Sequence, residues 1–199
     1  PLLEIVEIAD EHNIKVISTT KRDLGSLSGA GVHQGVVAFV NPFAYSDLET
    51  VLERGRAHDR HPLILALDSI QDPHNLGALV RSALALGADG VLIPKDRACE
   101  VTAVAAKTSV GAVAHLPIVR VTNLKRTLVD LQKEGFWLVG TVADGGQPLQ
   151  SLDFLQPIVL VIGSEGKGIR QKLAEACDFR ARIPMVGDIG SLNAASAGS

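Results

Sequence analysis

Cysteine is nearly missing from this chain. Cys99 and Cys177 are the two it has, far apart and without a second Cys or a His at ligand spacing, which excludes a disulfide framework and a zinc cluster and fits a reducing cytoplasm. No apolar run approaches the roughly 20 residues that span a bilayer, and residues 1–10 carry acidic side chains where a signal peptide would carry basic ones. The expectation is a soluble protein with no membrane partner and no bound metal. Excess positive charge is lacking too: Lys and Arg number 19 against 22 for Asp and Glu, a formal net charge of −3. Bulk attraction to nucleic acid is thereby excluded, and any contact of that kind must be local. Aromatics make up only 4%, so the interior must be built from Val, Leu, Ile and Ala.

What is present suits an α/β protein. The 199 residues, 46% hydrophobic and 21% charged, allow one domain of ordinary size plus a fragment of another and rule out a structureless chain. Residues 1–40 read as an amphipathic helix (Leu3, Ile5, Val6, Ile8, Ala9), a strand at 15–18, a polar loop and a strand at 35–40. That piece is too small to stand alone. Asn41 and Pro42 break the pattern, Ser46 and Asp47 offer N-caps for a charged helix to about Arg54, and 55–61 is polar, so 41–61 is the expected linker. The chain has no Met at its start and ends at Ser199 in what reads as the beginning of a helix. Both ends are therefore expected to continue in a longer native chain, with the closing helix incomplete.

From Pro62 onward, apolar runs at 63–67, 90–93, 115–119, 137–141, 158–162 and 179–183 alternate with helical patterns at 75–86, 100–109, 124–134 and 169–176. Continuous rather than alternating apolar strands imply burial on both faces, hence a mostly parallel sheet covered by helices on both sides. Three stretches then hold more Gly and polar residues than turns require, each directly after a buried strand, where ligands sit in open parallel sheets.

The first runs from Leu67 to Arg81, with Asn75 and Arg81 six apart, close to two helical turns; alone, Asn75 reads equally as a helix cap and Arg81 as a solvated charge. The second is Gly163-Ser-Glu-Gly-Lys-Gly168. Its glycines let backbone N–H groups approach a ligand closely, which suits an adenosine-bearing cofactor, whereas Glu165 alone reads as a plain loop carboxylate. The spacing matches neither a P-loop nor GxGxxG. The third runs from Ile183 to Ser196, with Ser191 placed to cap the final helix and Asn193 in its first turn.

The order of the three is specific where each alone is weak. Asn75-x5-Arg81, Gly163-Ser-Glu-Gly-x-Gly168 and Ile183-Pro-Met-x-Gly-x3-Ser-Leu-Asn193 resemble the motifs of the SpoU (TrmH-like) branch of the SPOUT class of RNA 2′-O-ribose methyltransferases, a match over 62–199. His33-Gln-Gly-Val-Val37 resembles the end of the small L30e-like α/β substrate domain of bacterial 23S rRNA guanosine-2′-O-methyltransferases. The resemblance implies residues 1–40 as the last part of that domain and 62–199 as a SPOUT domain with a C-terminal trefoil knot, an exception to the rule that chains do not knot. It implies S-adenosyl-L-methionine as cofactor, held by the loop near 141–145, by 162–168 and by 183–193, with Thr141, Gly163, Glu165, Gly166, Gly168, Ile183, Met185, Ser191, Leu192 and Asn193 as the contacting residues. It also implies a homodimer through the knotted region, and RNA as partner.

By the same resemblance Arg81 is the catalytic centre, with Asn75, Glu165, Ser191 and Asn193 around it. An arginine pKa exceeds about 12, so a phosphate clamp that polarises the 2′-oxygen suits Arg81 better than a general base. The implied substrate is a guanosine of 23S rRNA; the alternatives are a tRNA ribose or a non-catalytic RNA-binding, ribosome-assembly protein on the same fold. A dinucleotide binder lacks the Gly-rich fingerprint after the first strand. His74 reads as a loop residue, His33, His58, His61 and His115 as structural, and the clusters Lys167, Arg170, Lys172 and Lys95, Arg97, Lys107 as solvated faces or phosphate contacts.

Overall fold

The computed structural model describes residues 2–29, 33–185 and 192–198 and divides into two compact units, Pro1–Pro42 and Phe43–Ser199. In the first, helix α1 (Leu2–Glu11) forms where the apolar spacing places it, yet only Ala9 of its residues is buried. A second helix, α2 (Lys21–Leu27), occupies the stretch expected as a polar loop. Thr20 is its N-cap, the hydroxyl accepting from the Asp23 N–H at 3.2 Å while donating to the Asp23 carboxylate at 2.7 Å, a reciprocal pairing that closes the first turn. The strands expected at 15–18 and 35–40 are not formed. Both stretches carry β-branched or aromatic residues (Val16 and Ile17; Val36, Val37, Phe39 and Val40), but a strand exists only against a partner, and none lies beside them among the described residues. Phe39 and Val40 are accordingly 82% and 84% exposed.

The second unit begins inside the expected linker. Helix α3 (Leu48–Arg56) is capped by Asp47, whose carboxylate accepts from the Thr50 N–H at 2.8 Å, and it buries Val51 and Leu52. Ahead of it, Phe43 meets Tyr45 edge-on at 5.1 Å, the Tyr45 hydroxyl accepts from the Val101 N–H at 3.0 Å, and Arg120 lies over the Tyr45 ring. The boundary therefore falls after Pro42. The polar composition of 41–61 describes the solvent side of a packed helix rather than a tether.

Seven strands follow with their helices: β1 (Leu63–Asp68), α4 (Pro73–Ala85), β2 (Gly90–Pro94), α5 (Ala103–Thr108), β3 (Ile118–Val121), α6 (Leu124–Lys133), β4 (Trp137–Thr141), β5 (Gln147–Pro148), β6 (Ile158–Gly163), α7 (Gln171–Ala174), β7 (Phe179–Arg182) and α8 (Ala194–Ala197). All are parallel, in the order β3-β2-β1-β6-β4-β7-β5. Odd-numbered β1 residues such as Leu65 and Leu67 pack with Val91, Ile93 and Ile162 under Leu76, Leu79 and Val80 of α4 and Ala194 of α8. Ile64 and Ala66 face the other way, with Leu138, Val159 and Val161, under α3, α6 and α7. Burying a side chain such as Leu76 or Leu79 stabilises by about 1.5–3 kcal/mol, so each face supplies its own core.

The boundaries shift where capping and prolines decide. Asn75 does not cap α4; Asp72 does, its carboxylate accepting from the His74 N–H at 2.8 Å, with Pro73 in the first turn. Thr102 starts α5 three residues later than the apolar pattern suggests, and β3 begins after Pro117 because 112–114 forms a 3-10 turn. Asn193, not Ser191, is the N-cap given to α8; Ser191 lies outside the described residues.

β1 leads outward to β2 and β3, whereas β6 returns to lie against its other side. The direction of the connections thus switches between β1 and β6, and in such sheets ligands sit at the carboxyl ends of the strands near the switch. β7 lies beyond β4, yet α8 packs against α4 and β6. The knot expected from the resemblance depends on how 183–193 passes between them, and 186–191 lie outside the described residues.

Candidate active site

Because Asp72 and Pro73 fix the start of α4, Asn75 falls in its first turn with its side chain buried. Its Nδ2 donates to Glu165 Oε1 at 2.9 Å, and its Oδ1 accepts from Asn193 Nδ2 at 3.1 Å. Asn193 Nδ2 is also in hydrogen-bond contact with Glu165 Oε1, and the Ala194 N–H points at the same oxygen from 3.4 Å. The Asn193 Oδ1 meanwhile accepts from the Ala195 and Ser196 N–H groups at 2.9 and 3.3 Å. One carboxylate oxygen thus gathers donors from α4 and from the start of α8. Hydrogen bonds to a charged acceptor are worth about 1.5–3 kcal/mol each, enough to hold three separate segments together.

The Glu165 loop is built to be rigid. Ser164 and Gly168 exchange backbone hydrogen bonds at 3.1 and 2.8 Å, so the loop closes on itself at its base. A Cβ on Gly163 would lie 2.0 Å from the Gly168 carbonyl carbon, which only Gly permits. Gly166 and Gly168 hold φ of +74° and +63° with open space where a side chain would be. That open space faces a cavity of about 470 Å³, lined by Thr141, Gly163, Glu165, Gly166, Gly168, Ile183, Met185 and Leu192 of the expected cofactor residues. Val142, Ala143, Ile169, Ala181, Ala194 and Ala197 line it as well; too ordinary in sequence, they give no signal except their place after strands. The Thr141 hydroxyl donates to the Val161 carbonyl at 3.0 Å, tying β4 to β6 beneath the cavity. Apolar walls, glycines without side chains and exposed backbone groups fit a flat heterocycle recognised at its edge, and hence an adenosyl group.

Arg81 is not brought to this cluster by any hydrogen bond or ion pair with a described residue, and it is exposed. Six residues are one and two-thirds turns, so Arg81 lies about 9 Å further along the α4 axis and on another face than Asn75. His74, exposed at the same end of α4, has Thr108 Oγ1 3.4 Å from its Nδ1, a partner that spacing did not reveal. Of the other histidines, His33 Nδ1 accepts from the Gly35 N–H at 3.0 Å and His58 lies 3.6 Å from Asp89. Lys167 lines the cavity, whereas Lys95 and Arg97 are exposed after β2.

The SpoU rRNA Methylase family model matches residues 62–199. This chain belongs to that family. A second model, RNA 2′-O ribose methyltransferase substrate binding, matches residues 1–46. Among curated proteins, the chain is 43% identical to a putative TrmH family tRNA/rRNA methyltransferase of Staphylococcus saprophyticus over 196 residues, 98% of this chain and 78% of that one. It is 41% identical to the putative TrmH family tRNA/rRNA methyltransferase YacO of Bacillus subtilis over 194 residues, with the same coverage. Among solved structures, the SpoU methyltransferase AviRb of Streptomyces viridochromogenes, in complex with AdoMet, superposes with a TM-score of 0.67 at 32% identity, covering 76% of this chain and 57% of that one. The A. aeolicus TrmH/SpoU tRNA modifying enzyme gives 0.65 at 25% identity, covering 75% and 77%. The chain thus spans less than two thirds of the AviRb chain and most of the other.

Proposed function

We propose that this protein transfers a methyl group from S-adenosyl-L-methionine to a ribose 2′-hydroxyl of RNA, on a guanosine of 23S rRNA. The observation that carries the reading is the meeting of Asn75, Glu165 and Asn193 beside the glycine-walled cavity. S-adenosylmethionine, when bound, supplies a sulfonium methyl group that an oxygen nucleophile can attack. The backbone of 163–168 with Ile183, Met185 and Leu192 encloses its adenosyl part; Asn75, Glu165 and Asn193 hold the walls in register. Reaction requires the ribose oxygen in line at about 3–3.5 Å, which asks for fixed walls rather than adaptable ones. Arg81, exposed and positively charged, binds the nucleotide phosphate and by its charge favours loss of the 2′-hydroxyl proton to solvent water as the oxygen takes the methyl group; Ser191 is assigned to ribose or cofactor by family resemblance alone.

The choice of rRNA is supported by the SpoU rRNA Methylase match over 62–199, while the substrate-binding match over 1–46 and the separate unit of Pro1–Pro42 support RNA as the substrate. The names of the relatives, tRNA/rRNA methyltransferase, support a tRNA ribose as the second reading. We further propose a homodimer joined through the C-terminal region and a cytoplasmic setting, where Cys99 and Cys177 stay reduced. Among the described residues no helix is long and apolar enough to cross a membrane. The test is to incubate protein, tritiated S-adenosylmethionine and total RNA lacking modifications, then map the labelled ribose. Label at a 23S guanosine supports the reading, label in tRNA replaces it with the second, and no label in any RNA defeats both.

A further inference from the structure

We infer that Asp68 and Arg170 form a positioning pair that sets the Glu165 loop for methyl transfer, an inference that rests on the function proposed above. Asp68 ends β1 and is 0% exposed, the charged residue in a strand whose other members are apolar. Its Oδ2 accepts from the Arg170 backbone N–H at 2.8 Å, and its Oδ1 accepts from Arg170 Nε at 2.8 Å and Nη2 at 2.7 Å. The Ser69 hydroxyl lies 3.4 Å from the same Oδ1. A buried carboxylate is costly unless its lone pairs are filled, and here nearly all the filling comes from one residue 102 positions away.

The location of that residue gives the pair its meaning. Asp68 is the Cα partner of Gly163 in the β1–β6 ladder, so the Glu165 loop departs beside Asp68. Arg170 follows the last glycine of the same loop, so the loop also returns to Asp68, through the side chain. Both roots of 163–170 are thereby anchored to one residue, and the Ser164–Gly168 bridge closes the base above them. Asp68 and Arg170 neither line the cavity nor hydrogen-bond to Asn75, Glu165 or Asn193. They act through the loop, by fixing how far Glu165 and the glycine wall reach toward α4 and α8.

The fork geometry matters as much as the charge. In Asp68→Asn one oxygen becomes an NH2 that faces donors, breaking the fork; in Arg170→Lys the charge and the backbone N–H remain and only the fork is lost. Displacement of reacting groups by about 1 Å costs on the order of 100-fold in rate. Asp68→Asn is therefore expected to lower kcat about 100-fold with the KM for RNA unchanged, and Arg170→Lys to fall between it and the wild type. Amide hydrogen exchange supplies a readout independent of turnover: in both variants, amides of 163–170 are expected to lose protection while those of β1 and β2 keep it. Unchanged kcat and unchanged loop protection in Asp68→Asn overturn the inference, as does protection lost evenly across the sheet in Arg170→Lys, which means a purely structural pair. If the wild type methylates no RNA, the functional reading fails by itself, and the exchange data still decide whether the pair positions the loop.

Discussion

Asn75 Nδ2 lies 2.9 Å from Glu165 Oε1, although the two residues are 90 positions apart in the chain. The contact joins the first turn of α4 to the loop after β6, and Asn193 completes it from the start of α8. Residues in one hydrogen-bond network couple by about 0.5–3 kcal/mol, so Asn75→Ala and Glu165→Gln should be strongly non-additive. A double-mutant cycle on S-adenosylhomocysteine affinity, measured by calorimetry, checks this. Asn75→Asp should be worse than Asn75→Ala, since it sets a second carboxylate against Glu165.

Glycines in the loop should separate by mechanism. Gly163→Ala places a methyl group 2.0 Å from backbone that cannot move without opening the loop, whereas Gly166→Ala meets open space and only the strain of φ +74°. The second costs about 1–2 kcal/mol; the first should cost more and remove cofactor binding as well. Thermal melts with and without S-adenosylhomocysteine distinguish them, because the ligand should still raise the midpoint of Gly166→Ala, by less than that of the wild type since the methyl group stands on the cavity wall, and leave that of Gly163→Ala unmoved.

Arg81→Ala should abolish methyl transfer while leaving the melting midpoint and S-adenosylhomocysteine affinity at wild-type values. The side chain is exposed and makes no hydrogen bond or ion pair with a described residue, so its removal has little to disturb in the fold. Arg81→Lys should recover little, because a point charge does not replace a planar fork on phosphate. Turnover of the alanine variant at the wild-type rate would contradict the role given to Arg81.

Burial first, and then the neighbouring Asp178, push the Cys177 thiol up to about 11. The thiol form is thus the one the fold accepts. Its contribution to stability is complete below the ordinary value of 9.0 and drains away as pH rises from there through about 11. Wild type should therefore lose more stability than Cys177→Ala between pH 8 and pH 10, read by denaturant titration, and Cys177 should resist alkylation at pH 8 in the native state.

The sheet was legible because its strands are buried on both faces: runs such as 63–67 and 158–162 admit no solvent side, and helical spacing marks the covers between them. The same logic misplaced the boundary at 41–61, since α3 buries only Val51, Leu52 and Gly55 and shows solvent a charged face. At 15–18 and 35–40 the β-favouring residues are present, but pairing is a property of two strands and one segment cannot declare it. The site was legible as three motifs and not as contacts. Nothing local distinguishes Asn75 from a cap, and the deciding residue is Asp72, three positions earlier. Arg81 is out of reach of a spacing argument because six residues stop a third of a turn short of two turns. Asp68 is legible in hindsight as a lone carboxylate closing an apolar strand, whereas Arg170 looks like any member of a basic cluster.

The proposed function requires that the loops after β4, β6 and β7 enclose one site for an adenosyl cofactor. The most direct measurement is a crystal structure of the protein grown with S-adenosylhomocysteine. Electron density for the adenosyl group is expected in the cavity between Thr141, Gly166 and Leu192, with Glu165 still bound to Asn75 and Asn193. Density at any other place on the molecule, or none at saturating ligand, would contradict it.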